Sequence, residues 1–216
     1  MPDESTKFLH EEARRLADEN HDLREEMRAL QESVRALSEL HTLSENITPG
    51  TDVFRLLGDI LDTALAVLKA SDGSLLLADD ETGELVFVVV RGQAADQLVG
   101  YRIPRGEGIA GWVVNNRQPQ VVLDVRRDPR FFSQVDQTFD FKTRSLVCVP
   151  VYLDESRVMG VIEILNKTSD REFTQDDLNL MLVVAQLAAV AIHRAEHTFA
   201  THEERQAARA RLLKSQ

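Results

Sequence analysis

Leucine recurs at every seventh residue, Leu9, Leu16, Leu23, Leu30 and Leu37, without a break. A sustained seven-residue repeat fixes one narrow apolar stripe along a helix and so limits what the segment can pack against. Four residues after each leucine stand Ala13, Asn20, Met27, Val34 and His41. The two columns read as the d and a positions of a coiled coil over about four heptads. Nearly all the remaining positions are Glu, Arg, Asp, Gln or Ser. Such a stripe is too narrow to cover a globular core and wide enough for one partner helix. Asn20 adds register information, because two such amides satisfy each other only in a parallel, in-register pair. The expectation is a parallel homodimer joined through residues 9–41. A single amphipathic helix folded back on its own domain is the competing reading, and the uniformly charged flanks disfavour it.

The repeat ends at Asn46–Gly50, where Pro and Gly break the helix. Thr51 is placed to cap a second helix, whose Val53, Leu56, Leu57, Ile60, Leu61, Ala64, Leu65 and Leu68 follow helical spacing. Two strands, Ser74–Ala78 and Leu85–Arg91, flank the polar turn DDETGE and read as a hairpin. The middle, Gln93 to Phe141, holds one short helix (Ile109–Asn116), a short strand (Val121–Asp124) and a polar stretch. Two apolar runs, Ser145–Tyr152 and Val158–Leu165, lie too close together for a parallel crossover and form an antiparallel pair. Thr174 and Asp177 resemble a capping box that opens a last helix. In that helix Leu178, Met181, Ala185, Ala188, Ile192, Ala195 and Phe199 form a coiled-coil-like seam, while Leu180, Val183, Val184, Leu187 and Val190 fill another face. A helix apolar on two faces should bury one on its own sheet and one against a partner subunit. The fold class is therefore α+β, an antiparallel central sheet with helices on both faces, preceded by a long coiled-coil helix.

Charge and cysteine content narrow the function. A net charge of −11 disfavours nucleic acid and anionic membrane as partners. No uninterrupted apolar run approaches the roughly 18–20 residues of a membrane span, and MPDESTKF lacks the layout of a signal peptide. Cys148 is the only cysteine, so no internal disulfide forms and a cytoplasmic location is expected.

The segments GIAG (Gly108–Gly111), DPRF (Asp128–Phe131), Val135–Asp136, FKTRSLVCVP (Phe141–Pro150) and GVIEILNK (Gly160–Lys167), in this order and spacing, resemble GAF domains. They look most like those of cyclic-nucleotide phosphodiesterases and bacterial adenylyl cyclases. The resemblance covers about Asp52 to Ile192. It divides the chain into a coiled-coil helix (1–47), a GAF-like sensory domain (51–193) and a C-terminal helical extension (194–216). It implies a sheet carrying the terminal helices on one face and a roofed ligand pocket on the other. The pocket positions it implies are Ser74, Ile109, Ala110, Phe132, Asp136, Thr143 and Glu163, with cyclic AMP or cyclic GMP as candidate ligand and no obligatory cofactor. The cyclic-nucleotide marker is matched by Asn166, Lys167, Phe173 and Asp177, while Leu178 stands where the family has Glu. Phe139 and Asp140 replace the family's Thr and Gly, so a large ring and an extra acid are expected to alter the roof. The function implied is a dimeric sensory module, not an enzyme, in which a ligand closes the roof and shifts the flanking helices for an output protein to read. A ligand-free dimerisation scaffold is the alternative.

Some motifs mislead. GEGIAG (Gly106–Gly111) is a literal dinucleotide fingerprint, but Pro104 interrupts the strand before it and no parallel unit follows. HRAEH (His193–His197) imitates an inverted zinc motif on what reads as a long exposed helix, so no metal is expected there. Cys148, between Val147 and Val149, reads as a small core residue.

Overall fold

The computed structural model describes residues 12–17, 19–21, 23–24, 27, 34, 38, 52–152, 154, 157–168 and 171–197. The chain divides into two compact units, Met1–Glu39 and Leu40–Gln216. In the first, every described residue is helical, and Leu16, Leu23, Met27 and Val34 expose 50–59% of their surface. Leu9, Leu30, Leu37, His41, the NITPG break, Thr51 and Phe199 lie outside the described residues.

The second unit begins with α1 (Val53–Leu68). Its N-cap is Asp52, whose carboxylate accepts from the Arg55 N–H at 3.1 Å, so the cap falls one residue beyond the expected Thr51. Leu57, Ile60, Leu61 and Leu68 on its inner face are at most 2% exposed. Lys69 then turns left-handed and ends the helix. The chain continues through β1 (Ala70–Ala78), β2 (Leu85–Arg91), α2 (Ala95–Leu98), β3 (Arg102–Ile103), α3 (Gly108–Asn116) and β4 (Gln120–Val122). A 3₁₀ turn (Val125–Arg127), α4 (Gln134–Phe139), β5 (Leu146–Tyr152), β6 (Val158–Lys167) and α5 (Gln175–His197) complete it. The six strands are ordered β3-β2-β1-β6-β5-β4, and each neighbouring pair is antiparallel. With no parallel pair among the described strands, the Rossmann reading of GEGIAG has no sheet to stand on. The glycines serve packing instead. Gly106 and Gly108 take φ of +79° and +74°, and a Cβ at Gly111 would come within 2.5 Å of the Gly106 backbone.

The central strands are buried on both faces, which explains their continuous apolar runs. On one face α1 and α5 pack against the sheet and each other. The seam Leu178, Met181, Ala185, Ala188 and Ile192 is buried within this unit, together with Val184, Leu187 and Ala191. Helical phase aims this seam at the domain's own sheet and α1. Leu182 and Val183 are the apolar residues of α5 left exposed, at 36% and 43%. By length and mean hydropathy Gln175–Arg194 also passes as a membrane span, contrary to the sequence expectation, yet the residues it buries are those of a core helix.

The other face carries α2, α3, α4 and the loops. Strand alternation sends Ser74 and Leu76, Val161, Glu163 and Leu165, and Leu146 and Cys148 to this side. A bulge between β1 and β2 leaves Val88 without a partner and turns both Phe87 and Val90 the same way.

Candidate functional site

Between the roof and this face lies a partly open cavity of about 80 Å³. All seven sequence-derived positions line it: Ser74 from β1, Ile109 and Ala110 from α3, Phe132 from the loop before α4, Asp136 from α4, Thr143 from the extended lead into β5, and Glu163 from β6. Separate segments of the chain therefore meet around one hollow, most of whose lining is apolar or aromatic. Asp72, Phe87, Phe131 and Phe141 also line it and were not anticipated. Phe87 was hidden by the bulge. Asp72 precedes the expected strand Ser74–Ala78, whereas β1 begins at Ala70 and so takes it in.

The floor is a cross-strand row. Gln120, Cys148, Glu163 and Ser74 lie side by side on β4, β5, β6 and β1. Glu163 is 8% exposed, and the Ser74 hydroxyl donates to it only at the long distance of 3.5 Å. Burial pushes its carboxyl from the ordinary 4.5 up to about 7, against smaller opposing effects of the Cys148 thiol and Ser74. Burial also drives the Cys148 thiol well above its usual range, and the Glu163 charge adds to that. A fully buried thiol held protonated is a poor nucleophile.

The other acids in the wall are already engaged. Asp136 accepts from the Thr143 N–H at 2.8 Å and from its hydroxyl at 2.7 Å, which ties α4 to the lead into β5. Asp72 accepts from the Gln93 N–H at 2.9 Å and from the Ser71 hydroxyl. Arg91 reaches away to Asp62 at 2.8 Å. On the roof, Glu107 makes no capping bond with its side chain, so first-turn N–H groups of α3 have no intrahelical partner. The expected disturbance from Phe139 and Asp140 does not arise, since neither lines the cavity. Phe139 meets Tyr101 edge-on at 5.0 Å, and Asp140 is an exposed left-handed cap with φ of +48°.

The marker residues Asn166, Lys167 and Asp177 lie outside the cavity. Asn166 accepts from the Arg144 N–H at 2.8 Å and donates to the Lys142 carbonyl at 3.1 Å. Lys167 pairs with Asp177 at 2.5 Å, and Asp177 accepts from the Thr174 N–H at 2.8 Å, completing the capping box. They fasten the end of β6 to β5 and to the start of α5. Asp128 and Arg130 of DPRF are likewise structural, while Phe131 lines the cavity. Arg130 holds Asp128 at 2.6 Å and Gln120 at 3.1 Å, and lies 4.5 Å above the Trp112 ring. Among the described residues, no group of three His, Cys, Asp or Glu side chains could hold a metal ion.

Residues 52–192 match the family model of the GAF domain. Over 112 residues the chain is 31% identical to the dual 3',5'-cyclic-AMP and -GMP phosphodiesterase 11A of Takifugu rubripes. That match takes in 51% of this chain and only 12% of the fish protein, so the chain spans about an eighth of this relative. Among solved structures, the GAF domain of a phosphoenolpyruvate-protein phosphotransferase from Coxiella burnetii superposes with a TM-score of 0.66 at 19% identity, over 77% of this chain and 97% of that one. A methyl-accepting chemotaxis protein fragment gives 0.64 at 23%, over 75% and 99%. The free methionine-R-sulfoxide reductase of Neisseria meningitidis, with its substrate, gives 0.59 at 22%, over 77% and 89%. One of these neighbours is an enzyme, so the shared fold alone does not separate sensing from catalysis. The chain belongs to the GAF domain family.

Proposed function

We propose that this chain is a regulatory sensor that binds a small molecule between the sheet and its roof and passes the change to its terminal helices. The observation that carries the reading is the convergence of Ser74, Ile109, Ala110, Phe132, Asp136, Thr143 and Glu163 on one cavity. Its chemistry suits a compact ring. Phe132 offers a flat apolar face, Glu163 accepts from a donor on the ligand, and the start of α3 offers backbone N–H groups to an anionic or carbonyl oxygen. Cyclic AMP and cyclic GMP are the first candidates, supported by the likeness to a protein named for acting on both. At about 80 Å³ the cavity falls below the roughly 300–1,000 Å³ of drug-sized sites, so entry of a nucleotide moves α3 or α4 outward. That movement is the signal. It breaks or re-forms the Asp136–Thr143 bonds, and a ligand shifts the equilibrium only by its different affinity for the two roof positions. The buried Cys148 thiol supports regulation over catalysis.

The assembly proposed is a parallel homodimer through residues 9–41. The exposed apolar column of the first helix and the exposed Leu182 and Val183 of α5 support it. Sedimentation of the full chain at micromolar concentration is expected to give twice the 24.3 kDa monomer mass, and a monomer would exclude the zipper.

A ligand-free scaffold is the second reading, favoured by the mutual Asp136–Thr143 bonding. Thermal unfolding with cyclic AMP and cyclic GMP separates the two. A ligand at about one hundred times its Kd adds roughly 2.7 kcal/mol of stability. A melting temperature unmoved by both removes the cyclic-nucleotide reading.

A further inference from the structure

The chain carries a net charge of −11, yet one groove on its surface reverses that sign. The groove, about 870 Å³ and open, runs along the β4 end of the sheet. Five cationic side chains, Arg126, Arg127, Arg130, Lys142 and Arg144, line it against three acidic ones, Asp124, Asp128 and Glu172. Two cations are spent locally. Arg126 forks onto Asp124 at 3.0 and 3.3 Å, and Arg130 is held by Asp128, Gln120 and Trp112. Arg127 reaches the shared Asp124 only at 3.6 Å and is 88% exposed. Lys142 and Arg144 are exposed, and their side chains have no ion-pair or hydrogen-bond partner among the described residues.

Lys142 and Arg144 are also held in place. They alternate with Thr143, so the two cations point to the groove while Thr143 points into the cavity and binds Asp136. Asn166 grips the backbone of both, accepting from one and donating to the other. The cations therefore stand on a fixed backbone, which lowers the ordering cost of binding. Next to them Leu123 exposes 48% of its surface, and β4, last in the strand order, has one edge unpaired among the described strands. Cations, an exposed leucine and a free strand edge together fit an extended chain segment better than a lone small anion.

We infer that this groove docks an acidic, extended peptide segment of a partner protein, with Lys142, Arg144 and Arg127 receiving its carboxylates. The site is separate from the ligand cavity and does not depend on which ligand that cavity takes. The shared segment 142–144 places it where a change in the roof is felt.

The test is fluorescence anisotropy of the full chain with a labelled ten-residue peptide of alternating Glu and Leu. A Gln-for-Glu peptide and inorganic tripolyphosphate serve as comparisons. The Glu peptide is expected to bind at least tenfold more tightly than the Gln peptide and to weaken several-fold between 50 and 200 mM salt. Lys142→Glu with Arg144→Glu is expected to weaken it at least tenfold while the melting curve stays in place. Arg55→Glu with Arg105→Glu, which changes net charge equally on other surfaces, is expected to leave binding within twofold. Equal affinity for the Glu and Gln peptides, or equal loss in both double variants, overturns the proposal. So does saturable binding of tripolyphosphate without binding of the Glu peptide, which would assign the groove to small anions.

Discussion

Replacing Glu163 by Gln is expected to raise the stability of the ligand-free domain above pH 7 by roughly 3 kcal/mol. The carboxyl titrates near 7 in the folded state and near 4.5 when exposed, because burial opposes its charge. The folded state thus holds the proton over an interval in which the unfolded chain has released it. Where the folded state binds more protons, stability falls as pH rises. The wild-type protein keeps this contribution in full below pH 4.5, loses it between 4.5 and about 7, and is lower by that amount above 7. Among the described residues, no countercharge in the cavity corrects the deficit. Asp136 is bonded to Thr143, Asp72 to Ser71 and Gln93, Arg91 to Asp62, and the neighbouring Cys148 thiol stays protonated. The amide introduced by Glu163→Gln would keep the shape and an acceptor for the Ser74 hydroxyl without the charge. Urea unfolding at pH 4.5 and 8.5 should show near-equal stabilities at the lower pH and the full gap at the higher. A gap of the same size at both would mean that Glu163 does not ionise in this range. Such a built-in cost is characteristic of a position retained for binding rather than for the fold.

Gly160→Ala is expected to destabilise the domain by about 3 kcal/mol or more, enough to leave much of a marginal protein unfolded at 37 °C. Gly160 lies in β6 between Leu77 of β1 and Val151 of β5. A Cβ there would come within 2.0 Å of the Leu76 carbonyl oxygen and 3.0 Å of its carbon and of the Leu77 Cα. These are backbone atoms in the centre of the sheet, so relief requires opening a ladder and not turning a side chain. Gly73→Ala is the informative comparison. Its nearest obstacle is the end of the Ile164 side chain at 2.9 Å, which can move, so the loss should be smaller. Circular dichroism melts of the two variants should differ by several degrees, and equal melting would contradict this view of the sheet.

The architecture was legible because its signals are local. The helical spacing from Val53 to Leu68 and the paired apolar runs each announce one element. The small elements were not. α2 is four residues long and β3 two, too short to carry a period, and α4 lies in a polar stretch with no buried residue. The phase of α5 also escaped. Its sequence is apolar nearly all round, so spacing could not say which stripe the sheet would claim. At the cavity, the family likeness brought together seven residues that no spacing rule connects. Missed were Phe87, turned inward by an unseen bulge, and Asp72, whose partner Gln93 comes from a loop far along the chain. Phe139, expected to alter the roof, packs edge-on against Tyr101 and does not line the cavity.

The central claim is that a small molecule occupies the space between Glu163 and the roof. Calorimetric titration of the full chain with cyclic AMP and cyclic GMP, beside Ala110→Trp, tests it most directly. Ala110 is 3% exposed and lines the cavity, so an indole there fills the space while the sheet and terminal helices remain. The account predicts saturable binding of at least one of the two by the wild-type protein and none by a variant that still melts cooperatively. Unchanged binding in the filled variant would contradict it, and silence from both nucleotides with the wild type would remove the cyclic-nucleotide reading.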